Sequence, residues 1–279
     1  MTTISDPLKK TELGKPTVYS SHYDPDLLFP IARYVQREKI GVATPPPFKG
    51  VDVWNAFEVS WLNNQGKPEV AVGEFVFPCE SPNIIESKSL KLYLNSLNHT
   101  PFVSTEKVSE TLQKDLSEKS GTAVSVLIQS LYSLRDKKIE DFDGHCLDSL
   151  EVTCDTYVVN SDYLQTNAKN KVEEVLYSHL LRSRCPVTGQ PDWGSVQIHY
   201  RGKKINPEGL LRYIISFRNH QEFHESCVER MFMDILRRCA PEMLTVHARY
   251  TRRGGLDINP IRSTERVVLG EQRLRLARQ

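Results

Sequence analysis

SLKLYLNSLN (residues 89–98) and GLLRYIISFR (209–218) lie 120 positions apart, and laying one on the other aligns Leu90 with Leu210, Tyr93 with Tyr213 and Ser96 with Ser216. Three matches in ten do not by themselves establish a repeat. The order of elements around them is the better argument. Before the first segment, VDVWNAFEVSWL (51–62) and VAVGEFVFPC (70–79) are rich in β-branched and aromatic residues, with turn chemistry in NNQGKPE (63–69) between them. After it, STEKVSETLQKDLSEKSG (104–121) opens on a Ser/Thr cap and closes at Gly121, and TAVSVLIQSLYSL (122–134) is strand-like again.

The second half repeats this order. VEEVLYSHLLRS (172–183) and WGSVQIHYRGKKI (193–205) read as strands, PEGLLRYIISFRN (207–219) and HESCVERMFMDILRRCAP (224–241) as helices, and MLTVHARYTRRGG (243–255) as a closing strand. Two copies of one ββαα-type unit, with antiparallel strands and helices on one face, make the expected fold α+β. The charged loop RDKKIEDFDGHCLDSLE (135–151) marks a boundary, giving units over 51–140 and 141–279. Residues 1–50, ending in GVATPPPFKG, read as an arm laid on the body and anchored by Leu27, Leu28, Phe29, Ile31 and Tyr34.

Composition limits the function classes. The chain has 279 residues, formal net charge +1 and 25% charged residues, so no overall field recruits nucleic acid or an anionic membrane. No run approaches the ~18 apolar residues of a membrane-spanning helix. The opening MTTISDPLKKTELGKPT lacks the apolar core of a secretory signal. The six cysteines form no CxxC pair, and together these features predict a cytoplasmic protein with free thiols.

Four stretches could carry chemistry. RCPVTGQPDW (184–193) sets Cys185 in a turn-rich loop, where it is an inert buried thiol or a nucleophile with Asp192 as its proton partner. EFHESC (222–227) places His224 and Glu225 at a helix start, with Cys227 one turn on. Each also reads as ordinary first-turn chemistry. IIESKSLKLYL (84–94) carries Glu86 after two isoleucines, then Ser87, Lys88, Ser89 and Lys91, either phosphate-binding groups or a serine-capped amphipathic helix. YTRRGGLDINP (250–260) pairs two arginines with two glycines, suited to grip a phosphate or simply to form a tight turn. There is no GxGxxG after a strand and no Walker A sequence, and only His220, His224 and Cys227 resemble metal-ligand spacing, without a fourth partner.

Together these stretches resemble one family, the NADPH-dependent 7-cyano-7-deazaguanine reductases, the nitrile reductases of queuosine biosynthesis. ESKSLKLYLNS is similar to the family's signature, and CPVTGQPDW, FRNHQEFHE, YTRRGGLDINP and YSSHYDPDLLFPIAR match its other characteristic stretches, over nearly the whole chain.

The resemblance implies tandem tunnelling-fold units and a homodimer acting on a small deazapurine, with NADPH as cofactor and neither a metal, a membrane nor a directly bound nucleic acid. It implies Cys185 as nucleophile forming a covalent thioimide and Asp192 as general acid. Ile85, Glu86, Ser87, His224 and Glu225 would bind substrate, and Ser87, Lys88, Arg253 and Gly254 would contact NADPH. A reversible Cys185–Cys227 disulfide is a further expectation, for Cys227 shares the helical face of His224. The competing reading is a zinc-dependent cyclohydrolase-type enzyme on the same fold, acting on a purine or pterin. A non-catalytic purine- or tRNA-binding module is a third.

Overall fold

The computed structural model describes residues 19–270 and 274–279, so the opening stretch read for a targeting signal lies outside the described residues. Along the chain run β1 (Pro30–Ala32), α1 (Tyr34–Lys39), β2 (Lys49–Leu62), β3 (Pro68–Pro78), β4 (Asn83–Ile85), α2 (Ser87–Ser96), α3 (Thr105–Ser120), β5 (Ser125–Ser130), β6 (His145–Cys146), β7 (Thr166–Ser178), β8 (Arg182–Arg184), β9 (Pro191–Ile205), α4 (Pro207–Ser216), α5 (His224–Cys239), β10 (Met243–Tyr250) and β11 (Leu256–Ser263). They form an α+β chain that divides into two compact units. One holds the described residues up to Val35 with Val53–Lys137 and Arg253–Asp257; the other holds Gln36–Asp52, Lys138–Arg252 and Ile258–Gln279. No helix among the described residues is long and apolar enough to cross a membrane.

In the first unit β3 lies between β2 and β5, antiparallel to β5 from Ala71↔Ser130 to Val76↔Ser125. The β2–β3 turn is built by Asn63, whose Oδ1 accepts from the amides of Gln65 (2.9 Å) and Lys67 (3.1 Å). Helices α2 and α3 bury Leu90, Tyr93, Val108, Leu112 and Leu116 completely. α3 has the ends read from its sequence, with Ser104 capping the amide of Lys107 and Gly121 in the left-handed region at φ 79°. α2 is capped by the Glu86 carboxylate and not by a serine. Of the residues expected to anchor the arm, Leu28 and Ile31 are buried, whereas Tyr34 points to solvent at 61% exposure. Pro30–Ala32 pairs antiparallel with Asn83–Ile85, bringing this segment to the start of α2.

In the second unit the strand order is β11-β10-β9-β7-β6, with β8 also on β9. All these pairs are antiparallel except the two-residue β6–β7 pair. The 15-residue β9 runs down the middle, and Val196, Ile198 and Tyr200 on it, with Leu244, Val246 and Ala248 on β10, are fully buried. α5 packs on β10 and closes this core with Val228, Phe232 and Ile235. Arg262 is wholly buried between Asp52 (2.8 Å) and Glu229 (2.9 Å), so its charge is matched on both sides.

The internal repeat is visible in its bonds. α2 and α4 each span 10 residues, and α3 and α5 each span 16. Tyr93 donates to Asp115 on α3 (2.6 Å), and Tyr213 donates to Asp234 on α5 (2.8 Å). Ser96 donates to the Tyr93 carbonyl and Ser216 to the Tyr213 carbonyl, each at 2.6 Å. Each serine also accepts a backbone amide at 3.2 Å, from Asp24 and Asn160, which cap equivalent short 3-10 turns. Tyr93 and Tyr213, with Ser96 and Ser216, thus tie helix, neighbouring helix and preceding turn together once in each unit.

Candidate active site

The loop holding Cys185 is the tip of a hairpin between β8 and β9. β8 pairs antiparallel with the start of β9 in the register Arg182↔Trp193, Ser183↔Asp192 and Arg184↔Pro191. Beyond the last pair the Cys185 amide donates to the Gln190 carbonyl (2.9 Å) and the Gly189 amide to the Cys185 carbonyl (3.0 Å). Gly189, at φ +68°, takes the left-handed conformation that this closure requires. Residues opposite one another on such a ladder point to the same side, so Ser183, Cys185 and Asp192 share one face. Burial agrees: Ser183, Cys185 and Asp192 are buried, while Trp193 on the other face is 40% exposed. The diagonal Cys185–Asp192 relation corresponds to a separation of about 7 Å on an ideal ladder, with room for a small group between them.

The start of α5 completes this face. His224 Nε2 lies 3.5 Å from Asp192 Oδ2. Its ring stacks on Tyr250 with centroids 3.7 Å apart and planes 4° apart. Its Nδ1 is buried without a hydrogen-bond partner among the described residues, leaving a polar atom to be satisfied. Phe223 precedes the helix and offers no side-chain cap, and Glu225 in the first turn is buried. Behind them Cys227 is fully buried. Burial foremost, then the Glu222 charge, pushes its thiol far up, against the opposing pull of the Ser183 and Tyr250 hydroxyls. It therefore stays protonated at neutral pH. Cys185 and Cys227 are both free thiols.

The metal-like spacing resolves differently from the expectation. His220, Glu222 and Cys227 bring ligand atoms within 4.8 Å of one another, while His224 is committed to Asp192 and Tyr250. Glu222 is already gripped at both oxygens by Arg230 (2.9 and 3.2 Å) and lies 2.8 Å from His220. Burial raises its pKa, but His220 and Arg230 outweigh burial and hold it at about 2. A guanidinium in place and a thiol pushed towards its protonated form make this set a poor zinc site.

In the first unit Ile85, Glu86, Ser87 and Lys88 are consecutive across the β4–α2 junction. The fully buried Glu86 accepts from the amides of Lys88 (2.7 Å) and Ser89 (2.8 Å). Burial raises its pKa and these amides oppose the rise. Arg253 and Gly254 belong to a tight turn closed by reciprocal Arg253–Leu256 backbone bonds of 2.8 and 3.0 Å, with Gly254 and Gly255 both at positive φ. A Cβ on Gly255 would come within 2.5 Å of Glu58. Lys91 on α2 holds this turn, donating to the Gly254 carbonyl (2.8 Å) and pairing with Glu58 (3.1 Å).

Sequence reasoning passed over Tyr250 and Ser183 on the cysteine face, and the clasp that Lys91 and Glu58 make on the glycine turn. Both tyrosine and lysine stood inside quoted stretches. Their roles depend on cross-strand register and on a 163-residue separation between Lys91 and Gly254, neither of which local spacing reports.

A family model described as nitrile reductase, 7-cyano-7-deazaguanine-reductase N-term matches residues 19–128, and a second described as QueF-like protein matches 191–268. Proteins named NADPH-dependent 7-cyano-7-deazaguanine reductase from Legionella pneumophila (strain Lens) and Dechloromonas aromatica (strain RCB) are each 56% identical to this chain. The alignments cover 97% and 94% of this chain, and 95% and 93% of those relatives. A relative of the same name from Desulfotalea psychrophila is 55% identical, covering 96% of each chain. Among solved structures, an apo archaeosine synthase QueF-Like aligns with 37% of this chain and 100% of its own at 17% identity and a TM-score of 0.30, too slight a likeness to carry an argument.

Proposed function

This chain belongs to the family of NADPH-dependent 7-cyano-7-deazaguanine reductases, and on that premise we propose that it reduces the nitrile of 7-cyano-7-deazaguanine to the aminomethyl group through a thioimide on Cys185. The observation that carries the site assignment is the shared face of Cys185 and Asp192, with His224 Nε2 3.5 Å from the Asp192 carboxylate. The Cys185 sulfur adds to the nitrile carbon, forming a C–S bond as one C–N π bond breaks, and Asp192 delivers the proton to the nitrogen. After reduction at that carbon the C–S bond breaks, Cys185 departs as thiolate, and an imine remains for the second reduction. His224 and Glu225 orient the reacting group and the base. Glu86 accepts N–H donors of the deazaguanine edge, with backbone groups of Ile85 and Ser87 beside it.

Bound NADPH supplies hydride, and nitrile to primary amine takes four electrons, so two are consumed per substrate. The residues present fit such a cofactor. Ser87 and Lys88 are half-buried at the N-terminus of α2, and the turn after Arg253 is bare of Cβ atoms at Gly254 and Gly255 and is steadied by Lys91. Lys88 and Arg253 would meet phosphate charge, with Ser87 and Gly254 giving hydrogen bonds and close approach.

The protein acts as a cytoplasmic homodimer, built on the tunnelling fold, without directly binding nucleic acid. NADPH oxidation with and without the cyano-deazaguanine tests the activity, intact mass of wild type and Cys185→Ala tests the adduct, and light scattering tests the dimer. Stoichiometric zinc in active protein would instead favour a cyclohydrolase.

A further inference from the structure

The segment Leu274–Gln279 lies on the second unit in a way that concerns the cysteine face. The Glu140 amide donates to the Arg275 carbonyl (2.9 Å), and Leu276 is buried. The Gln279 carboxamide is buried as well. Its Nε2 donates to the Tyr250 carbonyl (3.2 Å) and to Asn259 Oδ1 (2.7 Å), while its Oε1 accepts from Arg249 and from the Leu276 amide. Next to it, Arg278 Nη2 donates to the carbonyls of Gly194 (2.9 Å) and His179 (2.6 Å) and to Ser195 Oγ (3.2 Å).

Gly194 and Tyr250 are cross-strand partners, the last pair of the β9–β10 ladder. Two successive side chains therefore take hold of the two carbonyls of one pair. Gly194 is two residues from Asp192, and Tyr250 carries the ring stacked on His224. Ladder ends fray, and a glycine there adds freedom. The fit there is close, since a Cβ at 194 would lie 3.2 Å from the Tyr250 ring.

We propose that Arg278 and Gln279 are positioning residues for the reaction: by clamping the Gly194–Tyr250 pair they fix the Tyr250 ring under His224 and so hold His224 against Asp192. The proposal rests on Asp192 and His224 being the working groups assigned above. The two residues touch neither substrate nor cofactor, and they act through the strand ends they hold.

Two full-length variants test it. Gln279→Glu keeps an oxygen for Arg249 and removes both N–H donors. Arg278→Met keeps the aliphatic stem, removes the guanidinium and sits at an exposed position where folding tolerates it. In each, kcat falls on the order of tenfold, the cost of a small misplacement of reacting groups. KM for both substrates stays within about twofold, melting stays near wild type, and the Cys185 adduct forms completely but more slowly. The double variant is no slower than the slower single, as expected for one clamp. Wild-type kcat in Arg278→Met, or a fall that tracks the unfolded fraction, overturns the proposal, and Arg278→Met decides alone if Gln279→Glu does not fold. An absent adduct in wild type would instead refute the assignment of Cys185 on which the proposal stands.

Discussion

His224 lies flat on Tyr250, with ring centroids 3.7 Å apart and planes 4° apart, while its Nε2 faces Asp192 at 3.5 Å. The tyrosine fixes the plane of the imidazole and the carboxylate fixes its direction. An aromatic stack is worth about 0.5–1.5 kcal/mol beyond burial. Tyr250→Leu should therefore lower kcat by up to about tenfold with little change in KM. Tyr250→Phe keeps the stack and should stay within a few-fold of wild type. Equal losses in both would mean that the hydroxyl matters and the stack does not.

Glu86 is buried and presents its carboxylate to α2's first amides. Hydrogen bonds to a charged group contribute about 1.5–3 kcal/mol, so Glu86→Gln should raise substrate KM on the order of ten- to a hundredfold. Burial raises the Glu86 pKa, so its proton is gained as pH falls at a higher pH than for an ordinary glutamate. Substrate KM should climb on that acidic limb, and the limb should vanish in Glu86→Gln. A pH profile of kcat/KM checks both.

Glu222, held at about 2 because His220 and Arg230 outweigh burial, stabilises the fold through its charged form. A depressed folded pKa contributes fully above the ordinary glutamate value, near 4.3, and is lost as pH falls towards 2. The contribution at neutral pH is on the order of 3 kcal/mol. Glu222→Gln should remove that part of the acid dependence in denaturant titrations between about pH 5 and pH 2. An unchanged acid limb would show that other carboxylates set it.

Tyr213 gives its hydroxyl hydrogen to Asp234, as Tyr93 does to Asp115. Tyr213→Phe leaves a half-buried carboxylate short of a donor and should destabilise by about 1–3 kcal/mol, read as a shift in denaturant midpoint. Tyr93→Phe should cost less, because Tyr23 also donates to Asp115 at 2.6 Å.

Much of this was legible in the sequence. Strand runs, helix ends such as Ser104 and Gly121, and the repeat through Tyr93 and Tyr213 are local patterns that three-dimensional packing preserves. Cys185 and Asp192, seven positions apart, could be read together because the hairpin tip between Arg184 and Pro191 is itself local. The Glu86 cap escaped notice because Ser87 and Ser89 follow it closely and only the backbone angles choose among them. Tyr250 beneath His224 and Lys91 on Gly254 arise from contacts between distant segments, and no spacing rule reaches them.

The most direct measurement is NADPH consumed per 7-cyano-7-deazaguanine, with intact mass taken alongside on wild type and Cys185→Ala. Two NADPH per substrate with a covalent adduct on wild type alone is the predicted result. Turnover by Cys185→Ala, or an adduct that survives the substitution, would contradict the account.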